Sequence, residues 1–411
     1  LSGPIGLGHR RLSIIDLEGG RQPMLARRDD GLEAAAISYS GEVYNFRELR
    51  AELKVRGHRF ESRSDTEVVL RAYLEWGSAF VEHLNGMYAF ALWDLRTQEL
   101  LLVRDRMGVK PLYYYETADG LVFGSEPKAL LANPLVPRTV RADGLREILE
   151  MVKTPGHAVF HGMREVLPGE VVRIDRQGLT RRRYWRLEAR EHEDTLEQTI
   201  RRTRDLLEDI VQRQIVSDVP LCSLLSGGLD SSIITALASK KLLAAGKDNI
   251  RSFSVDFLDH GSDFTGDAVR GTPDAPFVRD LVERIHSSHH EIILDSRELA
   301  DPALRSRVIE ALDLPPAYWG DMWPSLYRLF QEVRQHSTVA LSGESADEVF
   351  GGYRWFHDPV AIEAQTFPWM TSVTGKYFDG KSLFDPALLR QLDLPGFVQD
   401  SYSQALAEAP V

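Results

Sequence analysis

The chain has 411 residues, 43% of them hydrophobic and 27% charged, ordinary values for a soluble globular protein of two or three domains. Its net charge of −12 offers nucleic acid or an anionic membrane no general attraction, although an acidic protein can still hold a small anion in a locally positive site. No apolar run approaches the ~20 residues that span a bilayer, "LSGPIGLGHRR" lacks the layout of a secretory signal, and the single cysteine, Cys222, cannot form an intramolecular disulfide, so a reducing, cytoplasmic setting is expected.

Up to about Trp185 the pattern is β-rich with intervening helices. "FRELRAELKVRG" and "SDTEVVLRAYLEWG" carry apolar residues at three- and four-residue spacing, and Ser64 or Asp65 is suited to cap the second helix. "YAFALWD" and "ELLLVRD" read as strands joined by the turn "LRTQ". "PLYYYE" and "LVFGSE" flank "TADG" in the same way, and "REVLPGEVVRID" adds two more strands around Leu167, Pro168 and Gly169. This half is expected to be a mixed α+β domain.

After the charged stretch "RRRYWRLEAREHED" the pattern changes. An amphipathic helix from about Leu196 to Ile215 precedes four short apolar runs, "PLCSLL", "IRSFSVDF", "HHEIIL" and "STVALS", separated by helical segments. Alternating strands and helices predict a parallel sheet covered on both faces. The polar "DHGSDFTGDAVRGTPDAP" predicts a loop over that sheet.

Ligands of such sheets bind at the carboxyl ends of the strands, and two segments are placed there. In "LLSGGLDSS" a strand ends near Leu225 and a helix begins near Ser231. The free N–H groups and positive dipole end of that helix suit an anion, and Gly227 and Gly228 let the backbone approach it. Ser226, Ser231 and Ser232 supply hydroxyls, and Asp230 tolerates phosphate only with a bridging divalent cation. This is not a Walker A loop, and a serine-rich helix start with Asp230 as a mere cap is the plainer alternative. The second segment, "TVALSGESADEVFGGY", repeats the design with Ser342 and Gly343 followed by Glu344, Asp347 and Glu348. Carboxylates grouped at a strand end repel unless a cation or proton relieves them.

With these residues in view, the chain resembles the glutamine-dependent asparagine synthetases. "SDVPLCSLLSGGLDSS" is similar to that family's pyrophosphate loop and "LSGESADEVFGGY" to its second synthetase motif. "GHRRLSIID", "QPM", "SGEVYN", "SDTEVVL", "LNGMYAFALWD", "RDRMGVKPLYY" and "SEPKAL" resemble, in order, its glutaminase motifs. The resemblance implies an α+β N-terminal-nucleophile glutaminase sandwich over residues 1–190. An α/β parallel-sheet, adenine-nucleotide α-hydrolase-like (PP-loop) synthetase domain is implied over residues 191–411.

It further implies ATP and Mg²⁺, with aspartate and glutamine or ammonia as small-molecule substrates, no nucleic-acid or membrane partner, and an assembly that could extend to a homodimer. Carried over by position, Ser226, Gly228, Ser231 and Ser232 would contact pyrophosphate, and Asp230 and Asp347 would hold Mg²⁺. Leu224 and Val255 would line the adenine pocket, or simply be strand core, and Gly343 would lie near the nucleotide. Glu344 would remove a proton from the attacking amine. Arg11 would clamp the glutamine carboxylate, Asp65 its amino group, and Gly41 would lend an oxyanion-hole N–H. Glu42 and Tyr44 are read as structural.

Several positions depart from the family pattern. The family's nucleophile is a cysteine at the mature N-terminus, and Cys222, on the strand before the pyrophosphate loop, is expected to be a buried core thiol instead. The expectation is that the nucleophile segment precedes Leu1 and that the synthetase half continues past Val411, with loss of glutaminase as the alternative. Ser40 stands where asparagine is common, Ser345 and Ala346 where Gly-Ser is familiar, and Pro315-Pro316 where an acidic-proline pair is usual. Aspartate is therefore the default acceptor, with another carboxylate or an internal amine closing a β-lactam ring as alternatives. A silent binding protein is disfavoured by the intact loops.

Overall fold

The computed structural model describes residues 4–28, 30–150, 152–258, 272–314, 322–373 and 383–409. The chain forms two compact units, one built from residues up to Leu145 and Lys153–Arg190, the other from Arg146–Val152 and Glu191–Ala409. Among the described residues no helix is long and apolar enough to cross a membrane.

In the first unit, strands β1 (Met24–Arg27), β2 (Glu33–Val43), β3 (Gly86–Asp94), β4 (Glu99–Arg104), β8 (Glu170–Asp175) and β9 (Gly178–Arg183) form an antiparallel sheet in the order β1-β2-β3-β4-β8-β9. A smaller antiparallel sheet runs β6 (Gly120–Gly124), β5 (Tyr113–Thr117), β7 (Met163–Glu165). Side-chain alternation divides β3 between two cores. Ala89 and Ala91 join Leu100, Leu102, Tyr114 and Val172 between the sheets. Phe90 turns to the other face, where its ring meets Tyr39 and Phe80. Helices α1 (Phe46–Val55) and α2 (Asp65–Trp76) pack together, and α2 packs against β2. The Ser64 side chain accepts from Thr66 N, so Ser64 is the cap of α2 and Asp65 stands inside its first turn.

Two sequence expectations change here. Leu167, Pro168 and Gly169 do not close a hairpin, because β7 belongs to the small sheet and β8 to the large one. Leu167 N donates to the Glu170 carboxylate, and Gly169, at φ +65°, leaves no room for a Cβ beside the Trp185 carbonyl. The charged stretch begins inside a strand, since Arg181, Arg182 and Arg183 belong to β9. They occupy an exposed edge, where charge discourages pairing with another chain.

Along the chain, the short helices α3 (Pro127–Leu131) and α4 (Ala142–Leu149) follow β6. The second unit opens with α5 (Leu196–Gln214), whose Thr195 and Gln198 form a reciprocal capping box. β10 (Leu221–Leu224), α6 (Leu229–Ala244), β11 (Arg251–Phe257), β12 (Ser288–Leu294) and β13 (Val339–Leu341) follow. The strands form a sheet in the order β12-β11-β10-β13, every pair parallel. On one face Val211 of α5 and Ala238 and Leu242 of α6 pack with Leu341. On the other, Cys222, Phe253 and Ile292 pack against helices Pro302–Leu312 and Met322–His336. Cys222 is a free, fully buried thiol whose pKa is raised by desolvation, an inert core residue as expected. Most of the expected loop "DHGSDFTGDAVRGTPDAP" lies outside the described residues, which resume at Thr272.

Candidate functional site

The first unit gathers Arg11, Gly41 and Asp65 around one pocket of about 100 Å³, with Ser40, Glu42 and Lys110 also in its wall. Each is held by the local fold. Gly41 lies within β2 at φ +140°, and a Cβ there would collide with the Met87 carbonyl and the Tyr88 backbone on β3, so only glycine fits. The Arg11 guanidinium donates to the carbonyls of Leu17 (2.7 Å), Ile15 (2.8 Å) and Asp16 (2.9 Å). Gly20 has to be small because a Cβ would meet that guanidinium.

Asp65 is buried, and its carboxylate accepts from Val43 N (3.1 Å), the Tyr39 hydroxyl (3.1 Å) and Thr66 N (2.9 Å). Desolvation still raises its pKa, so an arriving cation such as an ammonium would be welcome beside it. Glu42, read from sequence as structural, faces the same pocket. Burial, followed by the charge of Asp65, pushes its pKa up from 4.5 to about 7, with Lys110 opposing. The signal available was its place next to a glycine that the strand requires. Tyr44 titrates far above its usual range through burial and carries no comparable signal of function.

In the second unit, the two loops expected at the sheet edge are brought together because β10 and β13 are neighbours. Gly228 is the cap of α6, and Asp230 stands in the first turn instead of capping it. Gly227 takes φ +83° and passes close to the Asp274 carbonyl. Ser231, buried, holds the loop from inside. Its hydroxyl accepts from Ser226 N at 3.2 Å, lies 3.1 Å from the Ser226 hydroxyl, and donates to the Gly228 carbonyl at 3.2 Å. Ser232 N enters the helical ladder by donating to Gly228 O at 3.1 Å.

Gly343 lies against this turn, where an added Cβ would stand 2.8 Å from Ser231 N and 2.9 Å from the Asp230 Cβ. Nothing larger than glycine fits without moving one loop. Ser345, at φ +72°, opens the short helix Ala346–Phe350 from the left-handed region that glycine prefers. Asp347 is raised in pKa by desolvation, then by the charges of Asp230 and Glu348, so the acids of both loops share one field. Glu344 is exposed, and its amide donates to the Ser342 hydroxyl at 3.1 Å.

Val255 and Ser226 line a cavity of about 310 Å³ with Asp256, Arg279 and Glu291, which the sequence reading did not single out. Leu224 packs on the core beneath the sheet and is not in that cavity wall. Pro315-Pro316 lies outside the described residues.

A glutamine amidotransferase domain model matches residues 1–185, and an asparagine synthase model matches residues 202–411. The chain belongs to the asparagine synthase family. It is 39% identical to asparagine synthetase [glutamine-hydrolyzing] 3 of Bacillus subtilis, over 98% of this chain and 64% of that one. It is 31% identical to a putative asparagine synthetase of Methanocaldococcus jannaschii (85% and 67%) and 32% identical to asparagine synthetase B of Escherichia coli (85% and 57%). The chain spans 64%, 53% and 46% of the length of the three Bacillus subtilis relatives that it matches. The fold expected from sequence, an amidotransferase unit followed by a parallel-sheet synthase unit, is therefore the fold of the family to which the chain belongs.

Proposed function

We propose that this chain carries the main working parts of an ATP-dependent amidotransferase that makes asparagine from aspartate. The observation that carries the reading is the close approach of Gly343 to the Asp230–Ser231 turn, which joins two separate loops into one oxyanion-binding edge. ATP is the substrate that such an edge suits. The Ser226 and Ser232 hydroxyls, with the N–H groups opening α6, would hold the pyrophosphate portion. The cavity beside Val255 would take the remaining part of the nucleotide.

Asp230 and Asp347 supply hard oxygen ligands, and the pKa of Asp347 is raised by desolvation and then by the charges of Asp230 and Glu348, which a divalent cation would offset, so both fit Mg²⁺. Bound there, Mg²⁺ would offset the charge developing on the departing pyrophosphate. An aspartate β-carboxylate oxygen would attack the α-phosphorus, giving β-aspartyl-AMP as pyrophosphate leaves. Ammonia would then add to the acyl carbon, and AMP would depart with that carboxylate oxygen. Glu344, exposed beside Gly343, would take the proton that the amine sheds.

The pocket of Arg11, Gly41 and Asp65 would bind glutamine as the nitrogen source. Arg11 would face the α-carboxylate, Asp65 the ammonium, and Gly41 N–H the amide oxygen. Ser40 offers a shorter donor than asparagine, so glutamine is expected to serve less well than free ammonium.

Incubating the full chain with Mg-ATP, aspartate and ammonium, and following AMP and asparagine by mass spectrometry, tests the synthetase half alone. Both products should appear together and only with aspartate present. ATP left intact with aspartate but consumed with another carboxylate would move the acceptor and keep the mechanism. ATP intact under every condition would overturn it.

A further inference from the structure

Away from the two loops, the sheet carries a second group of side chains that the reaction does not use. His290 stands in the first half of β12, on the face shared with Ile292 and Leu294. Glu332 and His336, one turn apart, lie at the C-terminal end of helix Met322–His336. The His290 Nε2 lies 3.7 Å from Glu332 Oε1, and the His336 Nε2 lies 3.6 Å from the same oxygen. One ligand atom from each of the three residues falls within 4.8 Å of the others. The serine loops lie at the carboxyl ends of β10 and β13, whereas this cluster lies toward the amino end of β12 in the parallel sheet.

Three properties suit the cluster to an ion. A tetrahedral ion with bonds of ~2.0–2.1 Å sets its ligand atoms ~3.4 Å apart, so two of the separations are already close to that value. The rings are steadied from behind, because Phe253 packs against His290 at 5.6 Å and His336 at 5.8 Å between ring centroids. The helix also ends here, so its negative dipole end adds to the Glu332 carboxylate in attracting a cation. Two imidazoles and one carboxylate select a borderline metal over Mg²⁺, which prefers an oxygen octahedron. All three side chains are partly open to solvent, which leaves the fourth position to water.

We propose that His290, Glu332 and His336 form a binding site for a divalent transition-metal ion of the Zn²⁺ or Co²⁺ kind, pinning the edge strand β12 to helix Met322–His336. The site is separate from the carboxylates of Asp230 and Asp347 and does not depend on the reading of the reaction. Co²⁺ added to the full chain reads it directly, because four-coordinate Co²⁺ absorbs strongly in the visible while a six-coordinate oxygen site absorbs weakly. The wild type should bind one equivalent with the strong band, and Zn²⁺ should abolish the band by displacement. Replacing His290→Gln or His336→Gln should weaken Co²⁺ binding by more than about 10-fold, since even outer-shell partners of a metal are worth that much. Asp230→Asn should leave the band in place.

Thermal unfolding keeps the test independent of spectroscopy. Zn²⁺ should raise the midpoint of the wild type and not that of the double variant carrying both His290→Gln and His336→Gln, whose metal-free midpoint should match the wild type. No strong band with the wild type, or a band that survives in the double variant, would overturn the proposal and leave the cluster as an ordinary surface ion pair.

Discussion

The two candidate sites solve one problem, holding carboxylates at a binding surface, in opposite ways. In the first unit Asp65 and Glu42 are both buried, and Asp65 is held by bonds from Val43, Tyr39 and Thr66. In the second unit Asp230 and Asp347 are half-buried in the first turns of two helices, and desolvation, followed by the charges of Asp230 and Glu348, raises the pKa of Asp347. A buried acid fixed by backbone donors is pre-organised for a cation of one shape. Neighbouring acids without such donors suit a divalent ion, which on the proposed reading would draw them together. The antiparallel sheet thus supports a pocket with fixed acids, and the parallel sheet an edge that, on the proposed reading, its ligand would complete.

Substitution can break this comparison at four places, with effects that diminish in turn. Gly343→Ala puts a Cβ onto the Asp230–Ser231 backbone, so one loop must shift. A shift approaching 1 Å costs on the order of 10²-fold in rate. AMP formation supported by ammonium should fall that far, while glutamine binding by calorimetry stays unchanged. The reverse pattern is expected of Gly41→Ala. Its φ of +140° and the collision with Met87 should destabilise the first unit by about 2 kcal/mol in denaturant melts and abolish glutamine binding. The ammonium-supported reaction should persist.

Glu42 supplies a pH test. Its pKa rises from 4.5 to about 7 on folding, so between those values the folded chain holds a proton that the unfolded chain has released. That contribution to stability is complete below about pH 4.5 and is lost as pH rises to about 7. Glu42→Gln removes the loss. The variant should gain about 1–2 kcal/mol on the wild type between pH 5 and pH 8, read from denaturant melts at both values. The smallest effect belongs to Ser345→Gly. It relieves a left-handed residue at φ +72° and should raise the unfolding midpoint by an amount equivalent to less than about 1 kcal/mol.

What the sequence made legible follows from where its chemistry is written. The parallel sheet was readable because its strands are short apolar runs separated by helices, and β10 and β13 end in the two Ser-Gly segments. The capping of α2 by Ser64 and the core position of Cys222 were readable for similar local reasons. The long strand β2 was not. Ala34, Ala35, Ala36 and Ile37 are all buried, so both faces of the strand are covered and the period-two signal vanishes.

Gly169 was read as a turn, correctly in local geometry, but no local pattern says which sheet the next strand joins. At the sites, the residues of the two serine loops fall on one sheet edge because each motif is short and contiguous, whereas Leu224 packs on the core and stays out of the cavity wall. Glu42 escaped because its altered titration arises from burial and then from the charge of Asp65, both of which exist only after α2 packs on β2. The cluster of His290 with Glu332 and His336 joins a strand to a helix some forty residues on, a separation no motif marks.

The central claim is that the joined serine loops direct a carboxylate to the α-phosphorus of ATP, and an isotope transfer tests it most directly. The full chain would be given Mg-ATP, ammonium and aspartate labelled with ¹⁸O in its β-carboxylate, and the phosphorus products examined by mass spectrometry. Attack at the α-phosphorus predicts one ¹⁸O atom in AMP, none in pyrophosphate, and asparagine formed in equal amount. Label in inorganic phosphate with release of ADP would mean attack at the γ-phosphorus and would contradict the account.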